Sequence, residues 1–415
     1  GIRVNEWLHN SGTGGIWQSS AGNVGIASSV PTAKLVVTGD ANISGVTTSS
    51  TFVPSEGQLG NRNLVINGAM NVAQRGTSST SSLYQTVDRF KYGANGVDET
   101  PTQAQHALTS SDTGPWEKGF RYSYHATNGN QTSGAGSADI VYLYHFIEAQ
   151  DIANSGWNYT STTSYLTLSF WVKSSVAQNF YGFVKTMDGT AQLLTFETTA
   201  LTADTWKYVT VSIPGHANLQ FDNNAEAGLQ LAWMPFFGTD YTTSGKTLNA
   251  WAAYSGSDRS PDNTSTWYTT NDATWEITGV QLEVGNVATA FEHLRYGDEL
   301  ANCQRYYWRT KADNNIFFPG LGMADVDGNS VILNTQFPVT MRDAPSALEQ
   351  TGTASDYKIR RSTTQTCSAV PTFQMATVDQ VSTVFTKSSH GWGDGTTVRA
   401  MGGTSGAYLG WSAEL

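Results

Sequence analysis

Two neighbouring stretches combine aromatic rings with short polar side chains, the mixture that suits a neutral sugar. Asn249 to Arg259 carries Trp251, Tyr254 and Asp258, and Asp262 to Asp272 follows with Trp267 and Tyr268. Flat apolar rings can stack on the C–H faces of a pyranose while Asp, Asn and Arg bond its hydroxyls. The competing reading is that Trp251 and Trp267 are strand residues buried in a core, as large aromatics usually are. A third set, His390, Trp392 and Asp394, lies in a Gly-rich stretch near the C-terminus. It could hold a sugar in the same way, line a seam between sister chains, or form a plain loop.

Motifs for catalysis and metal binding are missing. The sequence has no Gly-x-Ser-x-Gly elbow, no phosphate-cradling Gly-Lys-Ser/Thr loop and no His-Glu-x-x-His. Asp325-Val326-Asp327-Gly328-Asn329 has the opening of a calcium loop, but Ser330 and Gln336 stand where that loop needs Gly and Glu. It therefore reads as a hairpin turn. The seven histidines are scattered, none paired with another at ligand spacing. No metal, cofactor or catalytic residue is expected.

The elements that must position these residues are strands. Tyr165 to Val172, Tyr208 to Ile213 and Thr274 to Leu282 alternate apolar and polar residues and are rich in β-branched and aromatic types, the pattern of half-buried antiparallel strands. Asn128-Gly129-Asn130, Asp188-Gly189 and Asp327-Gly328-Asn329 punctuate them as turns. The fold class predicted is all-β, a sandwich or jelly roll.

Composition narrows the partners. The 415 residues include 23 Lys and Arg against 34 Asp and Glu, a formal net charge of −11. Phosphate backbones and anionic lipids recruit Lys and Arg, so nucleic acid is excluded as a partner. The longest apolar run, Leu231 to Phe237, contains Pro235 and falls far short of the roughly twenty residues a membrane helix needs, so no membrane insertion is expected. Cys303 and Cys367 are the only cysteines and are expected to be reduced and buried. The chain opens at Gly1 without Met or a secretory signal, which reads as a processing boundary.

Three textures divide the chain. Residues 1–60 are small, polar and Gly-rich, with short strands expected at Lys34 to Thr38 and Ala41 to Ser44. So few large apolar residues cannot offset chain entropy alone, so this segment is a linker or an intertwined neck borrowing its core from sister chains. Residues 61–296 are aromatic and strand-dense. Residues 297–415 open with a helix expected at Asp298 to Arg305 and return to strands and Gly-rich loops as a β-rich tip.

Gly22-Asn23-Val24-Gly25-Ile26, followed by Pro31 to Gly45, resembles the short β repeats in necks of phage fibre proteins. A longer ordered series runs from Asn63-Leu64-Val65-Ile66-Asn67-Gly68 through Val87-Asp88-Arg89-Phe90 and Leu168 to Ser175. It closes with Trp275 to Gly285, Ala290-Phe291-Glu292-His293 and Cys303 to Tyr307. This series resembles a domain of phage tail fibre proteins, a jelly roll similar to carbohydrate-binding modules. The resemblance implies that the opening and closing phrases are paired strands. Such modules often hold a structural calcium with acidic residues, but the matching positions here are Asn71 and Thr278-Gly279, so that acidic set is missing.

The expected protein is a homotrimeric tail fibre of the virion. It would attach other tail proteins at its N-terminal end and recognise host surface polysaccharide outside the cell. Two alternatives stand beside it: a head fibre, decoration or tail-spacer protein that binds no receptor, and an envelope polysaccharide depolymerase. Glycoside hydrolysis needs two carboxylates facing across a cleft. Such enzymes of phages usually build that cleft on a long repeated β-helix, and no repeat of about 20–50 residues is visible.

Overall fold

A computed structural model describes residues 6–8, 15–28, 30, 33, 35–37 and 60–415. The chain divides into two compact units, Gly1–Pro54 and Ser55–Leu415. In the first, β1 (Glu6–Leu8), β2 (Gly15–Gln18), β3 (Val24–Ile26) and β4 (Leu35–Val37) form one sheet in that order. Its pairs are antiparallel except β3 with β4, which is parallel. Within the expected strand Lys34 to Thr38, β4 is present; the one expected at Ala41 to Ser44 lies outside the described residues.

The second unit begins with β5 (Ser78–Ser79), β6 (Phe90–Asn95), β7 (Thr102–Ala107), β8 (Tyr122–Thr127) and β9 (Ile140–Glu148). A short helix α1 (Ala149–Ala153) leads to β10 (Tyr165–Ser174), β11 (Tyr181–Thr186), β12 (Gln192–Glu197), β13 (Lys207–Pro214) and β14 (Ala227–Phe237). Strand β15 (Trp251–Ala253), helix α2 (Thr266–Thr269) and β16 (Thr274–Val284) close the series. These strands form two six-stranded antiparallel sheets, β13-β10-β16-β8-β7-β5 and β15-β12-β11-β14-β9-β6. That is the jelly-roll sandwich and the nearly all-β class expected.

Alternation builds the core between the sheets. Leu166, Leu168, Phe170 and Val172 of β10 point inward beside Trp275, Ile277, Val280 and Leu282 of β16; Leu229, Leu231 and Trp233 of β14 face them. Each such side chain, fully buried, contributes roughly 1.5–3 kcal/mol. Strand β14 is buried on both faces, because Ala232, Met234 and Phe237 pack into a second cluster outside the sheet with Tyr142, Tyr144, Tyr241 and Tyr254. This double burial explains the continuous apolar run Leu231 to Phe237.

The phase of β16 changes at one residue. Ser169 pairs with Gln281 and Trp171 with Thr278, so Phe170 faces both Gly279 and Val280 in a β-bulge. Gly279 takes φ = 64°, the left-handed region where any other L-residue costs about 1–2 kcal/mol. The opening phrase lies beside this strand: Leu64 N–H donates to Leu282 O at 2.9 Å and Val280 N–H to Gly68 O at 2.9 Å. It is a chain of turns rather than the strand expected, because Asn67 and Met70 sit at φ 62° and 58° and break the extended backbone.

Helix α3 (Tyr296–Gln304) starts two residues before the expected Asp298, because the backbone turns helical directly after the extended Arg295. The remaining strands are β17 (Tyr307–Ala312), β18 (Leu321–Ala324), β19 (Ser330–Gln336), β20 (Glu349–Gln350) and β21 (Tyr357–Arg360). They are followed by β22 (Thr364–Thr366), β23 (Thr372–Ala376), β24 (Gln380–Thr386), β25 (Thr397–Gly402) and β26 (Ala407–Ser412). They make a three-stranded sheet, β17-β26-β20, and a seven-stranded one, β22-β21-β25-β18-β19-β24-β23, around their own core. The Asp325–Asn329 segment is the hairpin turn between β18 and β19, with Asp327 Oδ1 accepting from Asn329 N and Ser330 N at 2.8 Å each. Cys303 and Cys367 are free and buried. No described helix is long and apolar enough to cross a membrane.

A buried polar seam joins the two cores of this unit. Arg89 pairs with Glu414 while its guanidinium lies 3.4 Å from the Tyr306 ring centre. Arg75 repeats the arrangement over Tyr307 at 3.4 Å, and Glu148 accepts from Arg305 and Tyr306. Burial pushes the Asp88 carboxyl up to about 6 against the bonds it accepts from Gln74.

His145 sits in the sandwich core beside Phe90, ring centres 4.9 Å apart. Burial, reinforced by the nearby charge of Arg89, holds it well below the ordinary histidine value. Unfolding lets it take up a proton, so stability is lost as pH falls below about 6.5, at about 1.4 kcal/mol per pH unit until the folded-state value is reached. Replacing His145→Gln removes this histidine's share of that slope, read from urea unfolding between pH 5 and pH 7; an unchanged slope contradicts the assignment.

Candidate functional site

The outward phase of the β13-β10-β16-β8-β7-β5 sheet carries the residues with chemistry. On β10 that phase is Thr167, Ser169, Trp171 and Lys173, interleaved with the inward Leu168, Phe170 and Val172. Trp171 is the cross-strand partner of Tyr208 on β13, and their rings lie 5.1 Å apart at 47°. Phe120 packs edge-on against Phe291 at 4.8 Å, with the His293 ring 5.0 Å from Phe120. These rings, with Lys118, Ser169, Gly279 and Thr289, line a pocket of about 350 Å³. That is within the range of small-ligand sites, mostly apolar with a few polar groups to orient the ligand.

Gly279 is part of the pocket floor. A Cβ there would stand 2.7 Å from Phe120 Cζ, so the bulge that re-phases the core also lets the tip of the Phe120 ring approach the strand. Tyr208 is 42% exposed, which leaves ring surface open for stacking. His293 Nε2 donates to Lys118 O at 2.9 Å, the carbonyl oxygen being able only to accept, which ties the 288–293 segment to the loop before β8.

Along the same face from the pocket lies a charge cluster around Glu276, whose side chain is 3% exposed. Its carboxylate accepts from Ser123 Oγ at 2.7 Å and pairs with Lys173 Nζ at 2.9 Å. The Nδ1 atoms of His106 and His125 lie 3.2 and 3.4 Å from its two oxygens. Lys173 also reaches Asp112 at 3.0 Å, where Trp206 Nε1 donates at 3.0 Å. Burial alone would raise the Glu276 carboxyl, but the bond from His106 and the proximity of His125 and Lys173 hold it well below the usual carboxylate range. Asp112 is likewise lowered, burial being outweighed by bonds from Thr109, Trp206 and Lys173. Both remain anions and anchor positive charge; neither is tuned to donate a proton.

The residues singled out from sequence lie elsewhere and in separate places. Trp267 and Tyr268 are 0% and 1% exposed in the sandwich core. Tyr268 stacks on Phe236 at 4.3 Å, and Trp267 Nε1 donates to Thr274 O. Helix α2 turns both rings inward, so neither offers a face to solvent, which corrects their assignment as ligand contacts. Trp251 is half-buried against the core, its Nε1 donating to Pro214 O at 2.6 Å. Tyr254 packs on the outer cluster of the opposite sheet, under Lys185 Nζ at 4.0 Å, and Asp258 is paired with Lys246 at 2.9 Å. The 238–263 loop thus covers the second face of β14. His390, 3% exposed, stacks on Trp392 at 5.3 Å and accepts from its backbone N–H, whereas Asp394 is exposed.

Sequence reading missed Trp171, Tyr208, Phe120 and Phe291. The signal was present for Trp171: it shares the polar phase of Ser169 and Lys173, so a tryptophan stands where alternation calls for a solvent-facing residue. Phe120 and Phe291 carried no such signal, since they reach the pocket from loops. His106 and His125, scattered in sequence, come together because β7 and β8 are paired neighbours. A larger recess of about 580 Å³ lies among Asn61, Ile66, Gln150, Asp151, Asn154 and Asn302; the described residues lining it include no aromatic ring.

No protein-family model matches the chain, and no curated protein matches it. Among solved structures it is similar to the N-terminal cellulose-binding domain of Cellulomonas fimi β-1,4-glucanase C (12% identity, 52% of this chain and 99% of that one, TM-score 0.25). It is also similar to the family 11 carbohydrate-binding module of Clostridium thermocellum Lic26A-Cel5E (8% identity, 50% and 95%, TM-score 0.23). The tandem CBM22-1–CBM22-2 of Paenibacillus barcinonensis Xyn10C covers more of the chain (9% identity, 82% and 98%, TM-score 0.24). These are likenesses of fold.

Replacing Gly279→Ala adds a Cβ at a left-handed position against Phe120. It should cost about 1–2 kcal/mol in urea unfolding and quench or shift the fluorescence of Trp171 as the pocket floor is displaced. Wild-type stability in this variant would contradict the bulge account.

Proposed function

We propose that the chain binds a neutral glycan in the pocket formed by Trp171, Tyr208 and Phe291 over the buried Phe120 ring, and that it does so without catalysis. The observation that carries this reading is the pocket itself: rings at several angles around about 350 Å³, with the exposed polar residues Lys118 and Thr289 in its lining to bond hydroxyls. Two carboxylates on the same face, Glu276 and Asp112, are both held ionised, whereas glycoside hydrolysis needs one raised and protonated.

The wider role is a homotrimeric tail fibre of a phage particle, attaching the virion to host surface polysaccharide. The likeness of residues 22–45 to fibre necks supports it. So does the first unit, where Ile16, Ile26, Val30 and Leu35 are 46, 40, 76 and 61% exposed. A four-stranded sheet of such short strands cannot bury them alone, and sister chains would cover them. Three weak sites on one fibre would then gain by avidity.

Light scattering of the whole chain should give three times 44.8 kDa, and the protein should be retained on host envelope polysaccharide without releasing reducing ends. Trp171→Ala and Tyr208→Ala should each weaken retention by about tenfold, equivalent to about 1.4 kcal/mol, with the mass unchanged. Retention equal to wild type in both variants would contradict the site, and a monomer mass would contradict the fibre.

A further inference from the structure

The charge cluster on the same face has the donor set and spacing of a metal centre. One ring nitrogen of His106, one of His125 and a Glu276 oxygen lie within 4.8 Å of one another. They come from three adjacent strands, β7, β8 and β16, so the sheet ladder fixes their relative positions. Two bonds of 2.0–2.1 Å to a tetrahedral ion put neighbouring ligand atoms about 3.3 Å apart. The observed Nδ1-to-carboxylate distances, 3.2 Å to one Glu276 oxygen and 3.4 Å to the other, match that edge in length, and a small turn of the carboxylate would bring one oxygen to both rings.

His125 supplies an independent reason. Its Nε2 lies 3.0 Å from Thr127 Oγ1, whereas its buried Nδ1 has no hydrogen-bond partner although a carboxylate oxygen is 3.4 Å away. A threonine hydroxyl can accept as well as donate, so Nε2 can keep the proton and leave the Nδ1 lone pair toward the carboxylate, where a shared cation would engage both. The Thr127 contact then holds the ring from outside, as second partners of metal-bound histidines do. Ser123 Oγ, at 2.7 Å, orients the carboxylate.

We propose that His106, His125 and Glu276 bind one divalent ion of the zinc type, with a fourth position open to water. Two imidazoles and one carboxylate suit zinc and its neighbours rather than calcium or magnesium, which take oxygen. The His106 side chain is 49% exposed, so the ion enters from solvent and its fourth position faces outward. Lys173 is the competing cation at 2.9 Å from Glu276. It has an alternative partner in Asp112 at 3.0 Å, to which it can turn when the ion binds. The ion would clip three strands together beside the aromatic pocket.

The test is calorimetric titration of zinc chloride into tag-free, chelator-stripped, full-length protein, repeated with cobalt(II) for its visible spectrum. One ion per chain should bind, and cobalt should give the intense visible bands of a four-coordinate site. His106→Ala and His125→Ala should each weaken binding by roughly a hundredfold, and Lys173→Met should strengthen it by about tenfold. His106 is half-exposed, so its variant keeps the fold and carries the test even if His125→Ala does not; circular dichroism checks this. No zinc uptake by the wild type, or uptake unaffected by His106→Ala, would overturn the proposal. Polysaccharide retention is read separately and does not enter this result.

Discussion

Strand β16 changes phase at Gly279, and both sides of its sheet are organised by that change. Before the bulge Trp275 and Ile277 face the core; after it Val280 and Leu282 do, and without the extra residue one pair would point to solvent. The left-handed backbone at Gly279 absorbs the extra residue, and the missing side chain makes room for Phe120. The same residue therefore keeps the interior dry and shapes the outward pocket. Glu276 and Thr278 precede the bulge on the outer face, and Gln281 and Glu283 follow it there, each buried and each held by neighbouring strands or by the 289–292 segment.

The Arg75, Arg89 and Glu148 seam fastens the sandwich to the sheets that follow α3 through pairs that are both charged and stacked on tyrosine rings. Buried ion pairs add little net stability compared with apolar packing, but removing one partner is costly because it strands the other charge. Such a seam is therefore intolerant of sliding and specifies one relative arrangement of the two cores.

Strand identity was legible because β10, β13 and β16 each have one apolar and one polar phase, and that phase survives without knowing the partners. The location of the proposed ligand face was not. Aromatic residues in the 249–272 stretch drew attention, yet Trp267 and Tyr268 turn inward on a short helix and Tyr254 covers the second face of β14. Local composition cannot tell a ring that caps a core from one that faces water, since both sit among polar loop residues. The unbroken apolar run of β14 was the available hint that something had to cover it. The histidine and glutamate cluster was illegible for another reason: its members are brought together by strand pairing, not by spacing along the chain. Trp171 alone carried its signal locally, as a tryptophan in the polar phase of β10.

The most direct measurement of the central claim is a crystal structure of the protein with a neutral oligosaccharide. The account predicts one sugar ring seated against Trp171 and Tyr208 with its hydroxyls toward Lys118 and Thr289. Sugar bound instead at the 238–263 loop or around Trp392, with the Trp171 pocket vacant, would contradict it.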